Sequence, residues 1–479
     1  MFAGFATSEA RRSAPRILKT VTWFNRSALV VTNAASRFLP HIAMSRWLSE
    51  HRRRVLRVMA ARWQRRAIFL LGGVAVGAAA VALALLADQA QRLFALLLTW
   101  RREAAFAITP IGFMLSVFLT NRYFQNSQGS GIPQAIAARQ LSDQAARGRL
   151  VSMRIAVGKI LLTLLGLLCG ASAGREGPTV QVGASIMFAI GRLSPRRQAG
   201  LILVGASAGV AAAFNTPLAG IVFGIEEMSR AFESRTSGLI IGGVIAAGLT
   251  SLALVGNYAY FGVDTSMLRN GVDWLAVPLC GVIGGFAGGL FSRIVIAVAR
   301  VARSGWRGAI KRQPIFFAML CGIGVALCGF ASGDTIYGTG YAQVKAALES
   351  GVPLPWSFGL FKFVATTLST ISGIPGGIFS PSLAVGAGLG ANAAQLFPGA
   401  PLGAIMLLGM VSYFAGVVQA PITAFVIVTE MTDNHAMVIP LMAAALIAYA
   451  TSRLVCPEGI YHALSKSFLR SESETPPAR

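Results

Sequence analysis

Long runs of apolar residues, separated by short polar segments, occupy most of the chain. A membrane-spanning helix needs about 20 consecutive apolar residues, and residues 67–87 supply one such run. Neither 236–263 nor 363–429 contains an Asp, Glu, Lys or Arg, and the second is long enough for two or three crossings. The pattern predicts an all-α polytopic membrane protein, because a β-barrel would show short segments of alternating apolar and polar residues.

Several apolar runs are interrupted by glycine, proline and polar residues where a helix can start. The interruptions are GSGIP (129–133), GREGP (174–178) and GGIFSP (376–381). Glycine lets the backbone turn, and proline fits the first turn of a helix. Such a turn has unpaired N–H groups and about half a positive charge, and inside a bilayer these donors need partners. Several starts at one depth would bind an anion, although kinks and packing glycines explain any single motif.

Three pairs of motifs recur in the same order in the two halves of the chain. Residues 129–138 and 338–347 share G-[ST]-G-x-x-Q-x-x-A-A, and residues 178–184 and 381–387 share P-x-x-x-V-G-A. PLAGIVFGIEEM at 217–228 resembles PITAFVIVTEM at 421–431. The offsets are 209, 203 and 204 residues, so we interpret the chain as two repeats, roughly 100–260 and 310–460. Internal repeats with interrupted helices are typical of transporters, whose binding site lies between the halves. The motifs alone leave open whether the repeats are parallel or inverted.

Glu176 lies in GREGP, and a carboxylate at membrane depth is costly and therefore a functional hypothesis. Beside unpaired helix-start amides it is an anion that the same site can hold, so it can compete with a diffusing anion. If burial favours its neutral form, it can also carry a proton. The alternative is a static salt bridge to Arg175 or Lys159.

Glu226 and Glu227 are a second acidic pair, for which charges at a helix end are the simpler interpretation. Neighbouring residues point about 100° apart on a helix, so at most one of them faces a given path well. Glu430 occupies the position equivalent to Glu226 in the second repeat, which indicates a shared structural role. Glu227 is then the better candidate for a specific function.

The formal net charge of +24 raises the question of a nucleic-acid partner. Residues 1–66 contain fourteen Arg and Lys and two Glu, which is half of the net charge. This segment directly precedes the first apolar run, where basic residues mark the cytoplasmic side. We therefore expect a basic cytoplasmic N-terminal segment, a stretch at 46–66 able to form an amphipathic surface helix, and no nucleic-acid partner.

The five cysteines are scattered through mostly apolar segments without a CxxC motif, so we expect packing residues and no metal site, disulfide framework or cofactor. GASAG at 170–174 and 205–209 formally matches the G-x-S-x-G motif of hydrolases, but that motif needs a strand, turn and helix. We expect both copies in helical segments, where small residues pack helices together. No histidine has an evident route to Ser172 or Ser207, so we do not expect an enzyme.

The motifs GSGIP, GREGPTVQ, FNTPLAGIVFGIEEM and GIPGGIFSP, together with a late tyrosine in GIYHAL, occur in this order. They resemble the CLC family of chloride channels and chloride/proton antiporters over roughly residues 100–465. The resemblance implies an inverted-repeat fold with many tilted and broken helices, in a homodimer whose subunits each have a pore. It implies a multi-pass protein of the bacterial inner membrane without CBS domains, with residues 67–467 as the transmembrane domain, a cytoplasmic tail at 468–479 and both termini cytoplasmic.

The resemblance also implies roles for single residues. Chloride would be held by the hydroxyls of Ser130 and Tyr461 and the backbone N–H groups of Ile378 and Phe379. Glu176 matches the external gating glutamate of the family, Glu227 its internal proton-transfer glutamate, and Lys159 and Arg175 basic residues near the pathway. Ser130 implies chloride, with other monovalent anions tolerated, because members that prefer nitrate have proline there.

Glu227 favours a chloride/proton antiporter, since channels of the family typically lack this glutamate. A passive chloride channel of the same family, gated by voltage or pH, is the alternative. The chain departs from many relatives at Gln134, where they have glutamate.

Overall fold

The computed structural model describes residues 41–192, 197–229, 234–256, 258–269, 271–301, 308 and 312–473. The chain divides into two units, Met1–Ala67 and Ile68–Arg479. All that is described of the first unit is the start of helix α1, His41–Trp100. The stretch 46–66 is therefore helical, whereas most of the predicted basic segment, residues 1–40, lies outside the described residues, as does 474–479 of the predicted tail.

The second unit is built from helices. Those of its first half, after α1, are α2 Ala105–Tyr123, α3 Ile132–Gln140, α4 Gln144–Leu150, α5 Met153–Leu168, α6 Glu176–Gly191, α7 Gln198–Phe214, α8 Pro217–Phe223 and α9 Ser234–Val255. A π-helical turn, Gly224–Ser229, follows α8. Two short 3₁₀ segments are Arg102–Ala104 and Val272–Leu275.

Those of its second half are α10 Ala276–Arg300, α11 Pro314–Ala331, α12 Tyr341–Ser350, α13 Phe358–Ile371, α14 Phe379–Ala394, α15 Leu402–Val418, α16 Pro421–Thr432, α17 Val438–Val455 and α18 Ile460–Ser473. The described residues contain two isolated β-bridges and no longer strand. The predicted all-α class is confirmed.

The helices fall into two length classes. Within the described residues, seven are long and apolar enough to cross a membrane, beginning with Arg66–Trp100 and ending with Val438–Val455. Others are apolar but shorter, including Gln198–Phe214 and Leu402–Val418. The uncharged run 363–429 contains broken helices of 12 to 17 residues. The protein is a multi-pass membrane protein that combines long helices with short, interrupted ones.

Equivalent glycines pack the buried helices in the two repeats. Gly183 of α6 lies against Gly205 of α7, and a Cβ on either would overlap the carbonyl oxygen of the other. Gly386 of α14 and Gly409 of α15 make the same contact, 203 and 204 positions later in the chain. Small residues let helix backbones approach closely in membranes, so the motif repeat corresponds to a repeat in packing.

The repeats are inverted, as α8 and α16 show. Glu226, just past the end of α8, accepts a hydrogen bond of 2.6 Å from the N–H of Thr423 at the start of α16. Glu430, near the end of α16, accepts one of 2.6 Å from the N–H of Ala219 at the start of α8. The end of each helix therefore meets the start of the other, and the two run antiparallel. Each glutamate satisfies unpaired N–H groups at a helix start, which is the shared structural role expected for this pair.

One local prediction was wrong. The GASAG copy at 205–209 lies inside α7, as expected, but the copy at 170–174 forms the loop between α5 and α6. Gly170 has a φ of +81° against the ring of Phe94, a conformation that favours glycine. An apolar composition does not distinguish a loop enclosed by protein from a helix, because both avoid water and lipid.

Candidate functional site

Backbone hydrogen bonds join the interrupted segments of the two repeats. Gly129 donates to the carbonyl of Ile374 at 3.2 Å, and Gly376 donates to the carbonyl of Gly129 at 3.0 Å. Gly174 and Gly377 exchange two N–H···O bonds, of 2.7 and 2.6 Å. These short bridges hold the loops before α3, α6 and α14 against each other, so the three predicted helix starts meet at one place.

Gly177 explains why this meeting point is rich in glycine. A Cβ on Gly177 would lie 2.8 Å from the carbonyl oxygen of Ser130 and 3.2 Å from the Cα of Gly377. Side-chain carbons essentially never lie as close as 2.8 Å to another atom, so only glycine fits here without displacing the Ser130 loop. The close approach places Glu176, the preceding residue, beside the loop that carries Ser130.

Glu176 is the first residue of α6 and is fully buried. Its Oε1 accepts a hydrogen bond of 2.5 Å from the hydroxyl of Ser380, in the first turn of α14. Its Oε2 is buried without a described hydrogen-bond partner. The carboxyl group therefore lies at the start of a helix from the other repeat, in the partly positive field of that helix end.

Ser130, Ile378 and Tyr461 line one cavity of about 590 Å³. The Tyr461 side chain is fully buried, and its side-chain hydrogen-bonding neighbour is Ser130. Phe379 is fully buried, and its ring lies 6.1 Å from that of Tyr461 and 4.8 Å from that of Phe414, centroid to centroid. Ser130 and Tyr461 thus line the same cavity, and the ring of Phe379 packs beside Tyr461.

Lys159 and Arg175 are both buried, but neither makes a salt bridge with Glu176 in the structure. Lys159 donates to the carbonyl oxygens of Ser127 and Gly129 at 2.5 and 2.8 Å. Arg175 forms an ion pair of 2.6 Å with Asp88. The static salt bridge considered for Glu176 is therefore not found, and Lys159 supports the loop that carries Ser130.

Glu227 lies on the π-helical turn and is 2% exposed. Its Oε1 is 3.1 Å from Nδ1 of His462, the residue after Tyr461. Both residues line a second cavity, of about 750 Å³. Glu226 is held by the start of α16 and Glu227 is not, which agrees with the different roles expected from the sequence.

Three contacts at the site were not predicted from the sequence. Ser380 is part of the GGIFSP motif, but nothing in the motif indicates that its hydroxyl reaches Glu176. His462 gave no signal, because a single histidine in an amphipathic helix is usually a surface residue. Gln134 donates to the carbonyl oxygen of Gln128 at 2.7 Å, which a glutamate in its ionised form cannot do because it has no N–H.

Comparison with known proteins agrees with this architecture. The family model described as voltage gated chloride channel matches residues 111–453. The H(+)/Cl(-) exchange transporters ClcA of Yersinia pestis bv. Antiqua (strain Angola) and Yersinia pseudotuberculosis serotype O:3 (strain YPIII) are each 32% identical over 421 residues, covering 81% of this chain and 83% of theirs.

Solved structures give the same result at the level of the fold. A slow cyanobacterial Cl⁻/H⁺ antiporter is similar with a TM-score of 0.70 and 25% identity, covering 86% of this chain and 97% of that one. A CLC-type fluoride/proton antiporter also has a TM-score of 0.70, at 24% identity, covering 84% of this chain and 97% of that one. The inverted repeats, the joined helix starts and the match over 111–453 together assign the chain to the voltage-gated chloride channel family, CLC, to which it belongs.

Proposed function

We propose that this protein exchanges chloride for protons across a membrane, with Glu176 as the gate. The observation that carries the proposal is the position of the Glu176 carboxyl group at the start of α14, hydrogen-bonded to Ser380. It lies next to the loop carrying Ser130, which lines a cavity with Ile378 and Tyr461. A carboxylate and a chloride ion are both monovalent anions, so they compete for the same donors.

The chloride seat consists of the Ser130 and Tyr461 hydroxyl groups and the N–H groups at Ile378 and Phe379. These are partial charges, which bind an anion without the tight attraction of a full cation and so let it leave again. When Glu176 is ionised it occupies the helix start in place of chloride. When it takes up a proton it loses its attraction for the helix start and moves away, so that chloride enters as a proton is carried.

Glu227 is the internal proton acceptor in this scheme. It is buried. Its chain neighbour Glu226 and Glu430, the repeat equivalent of Glu226, each accept hydrogen bonds from a helix start instead. Two relatives that are 32% identical are named H(+)/Cl(-) exchange transporters, and this supports exchange over a passive channel. Chloride is the expected ion because Ser130 stands in the GSGIP motif, and other monovalent anions are tolerated.

Flux measurements in liposomes with an imposed proton gradient test the proposal. We expect the reversal potential of the wild-type protein to shift with the gradient. Glu176→Gln, which stays neutral, should reduce proton flux to that of protein-free liposomes and leave a chloride flux nearly independent of pH. Glu227→Gln should stop proton flux while chloride still moves.

Glu349→Gln is the matched control, since Glu349 is 54% exposed and pairs only weakly with Lys345 at 3.6 Å. It should behave as wild type. A wild-type reversal potential that ignores the proton gradient would instead identify a passive chloride channel. Tight proton coupling in Glu176→Gln would contradict the gating role.

The family also leads us to propose the setting of the protein. Two copies form a homodimer with separate pathways in the inner membrane, residues 67–467 form the transmembrane domain, and both termini are cytoplasmic. The basic segment 1–66 supports this orientation, because lysine and arginine are retained on the cytoplasmic side. The mass of the purified protein by light scattering and the accessibility of a tag at each terminus in intact cells test both points.

A further inference from the structure

We propose that His462 delivers protons to Glu227 from the cavity that both residues line. The inference rests on the proposed function, in which Glu227 receives the transported proton. It adds a residue to which the sequence analysis assigns no role.

The first argument is that His462 lines the same cavity as Glu227 and is the more exposed of the two. Glu227 is 2% exposed and His462 is 18% exposed, and they are 3.1 Å apart. The cavity that they line is also lined by Glu458 and Lys466, whose side chains are 42% and 57% exposed. The exposed fraction of the His462 side chain is thus intermediate between that of the buried Glu227 and those of Glu458 and Lys466.

The second argument is that the other charged groups around His462 are already engaged. Glu226 is bound by the start of α16, and Glu458 pairs with Lys466 and Arg300 at 3.0 and 2.9 Å. Arg453 of α17 bonds to the Tyr449 hydroxyl. On the α3 side, Arg139 donates to the carbonyl of Met228, on the same π-helical turn as Glu227. Glu227 is therefore the carboxyl group that the His462 ring meets.

Imidazole titrates near neutral pH and can both accept and donate a proton, which makes it a common proton shuttle. In the proposed step, the imidazolium form of His462 donates its Nδ1 proton to Oε1 of Glu227. Glu227 becomes a neutral carboxylic acid, and the neutral imidazole keeps its Nε2 proton. Rotation of the ring then turns the vacant Nδ1 towards the cavity, where a hydronium ion returns the proton and leaves as water.

His462 is the chain neighbour of a residue at the proposed chloride cavity. His462 follows Tyr461, whose hydroxyl faces the proposed chloride cavity, and both lie in the first turn of α18. One helix start therefore contributes to both the anion cavity and the proton entrance. A shift of α18 would affect the two together.

The test compares His462→Gln and His462→Ala with wild type in proteoliposomes, measuring proton and chloride flux across a series of pH values. Gln retains a hydrogen bond to Glu227 but cannot shuttle a proton. We expect both variants to lower proton flux by roughly tenfold or more, with a fall in the proton-to-chloride ratio that changes with pH. Free imidazole should restore the ratio in His462→Ala, which leaves space for it, and not in His462→Gln.

His435→Gln is the matched control. His435 is 78% exposed beside Asp433 and follows the end of α16, which meets the start of α8. Glu227 follows the other end of α8. This variant should match wild type with and without imidazole.

Three results would overturn the relay. The first is a wild-type proton-to-chloride ratio in both His462 variants at every pH. The second is a ratio that falls equally at all pH values and does not respond to imidazole, which would mean that His462 only positions Glu227. The third, wild-type protein without proton coupling, would overturn the relay and the proposed exchange together, so the two failures are distinguishable.

Discussion

The loop before α3 in the first repeat and the loop before α12 in the second have the same backbone construction. The Ser130 hydroxyl accepts from the N–H of Ile132 at 3.3 Å, and the Thr339 hydroxyl accepts from the N–H of Tyr341 at 3.3 Å. The glycine between each pair has a φ of +94° or +78°. Both loops therefore expose the start of a helix in the same way.

A buried lysine supports each of these loops. Lys159 donates to carbonyl oxygens of the first loop, and Lys362 donates to those of Ile336 and Gly338 in the second at 2.8 and 2.7 Å. The two lysines are 203 positions apart and both fully buried. Both the backbone conformation of the loops and the buried lysine that supports each loop are therefore repeated.

The side chains that face the two loops differ. In the second repeat, the side-chain oxygen of Gln91 accepts from the N–H of Thr339 at 2.8 Å, and both residues line a separate cavity of about 630 Å³. In the first, Ser130 faces the cavity that Tyr461 closes from α18, an element that follows the repeats. Glu176 has its equivalent in Phe379, 203 positions later. The two repeats share the loop glycines and the buried lysines that hold the backbone. The proposed function depends on side chains that occur in only one repeat.

The largest effect should come from breaking the repeated glycine packing. Gly183→Val and Gly386→Val each place side-chain atoms where a backbone carbonyl oxygen now lies. Overpacking of this kind costs typically about 1–3 kcal/mol, and more where backbone must move. We expect both variants to lose monodisperse protein on size-exclusion chromatography, and to about the same extent, because the contact is the same in the two halves.

Gly238→Val is the control for this pair, since Gly238 is exposed on α9 and a Cβ added there would have no other atom within 4 Å. It should purify like wild type. Normal behaviour of Gly183→Val together with loss of Gly386→Val would show that the halves are not equivalent in packing.

A smaller effect should come from replacing the two buried lysines. These substitutions separate the two loops, because we expect both to lower stability and only one to lower transport. Lys159→Met and Lys362→Met each leave interior carbonyl oxygens unpaired, at a cost of about 1–3 kcal/mol. We expect similar reductions in thermal midpoint in detergent. Chloride flux in liposomes should fall only in Lys159→Met, since only that loop carries Ser130.

Lys345→Met serves as the control, because Lys345 is 35% exposed, forms an i,i+4 pair with Glu349 and lies 5.7 Å from the centre of the Tyr341 ring. Such a pair contributes a few tenths of a kcal/mol, so this variant should keep both midpoint and flux. Equal loss of flux in Lys159→Met and Lys362→Met would contradict the functional difference between the loops.

The sequence predicts the repeated part of the molecule well, for a physical reason. Helix starts need glycine and proline at fixed local positions, so GSGIP and GREGP could be recognised without the fold. The offset of 203 residues that relates Pro178 to Pro381 also relates Lys159 to Lys362 and would have identified the second lysine.

The unrepeated part could not be predicted in this way. Gln91 meets Thr339 across 248 positions of chain, and His462 meets Glu227 across 235. Such contacts arise from tertiary packing and leave no periodic signal. The misplaced GASAG loop at 170–174 has the same origin, because enclosure by neighbouring helices makes an apolar loop possible at membrane depth.

The smallest effect concerns the approach to α18, which has no counterpart in the first repeat. Glu458 accepts from Lys466 at 3.0 Å and from Arg300 at 2.9 Å, and the Lys466 ammonium chiefly lowers the pKa of this carboxyl group. Because the folded-state pKa is lower than the unfolded one, the pairing stabilises the fold above the unfolded pKa and is lost as pH falls through the folded pKa. All three side chains are at least 42% exposed, so the contribution is below about 1 kcal/mol. Glu458→Gln should therefore have a slightly lower thermal midpoint than wild type near neutral pH, and the difference should vanish in acid and shrink in high salt. A difference that persists in acid would mean that Glu458 supports the Tyr461 and His462 turn through packing rather than charge.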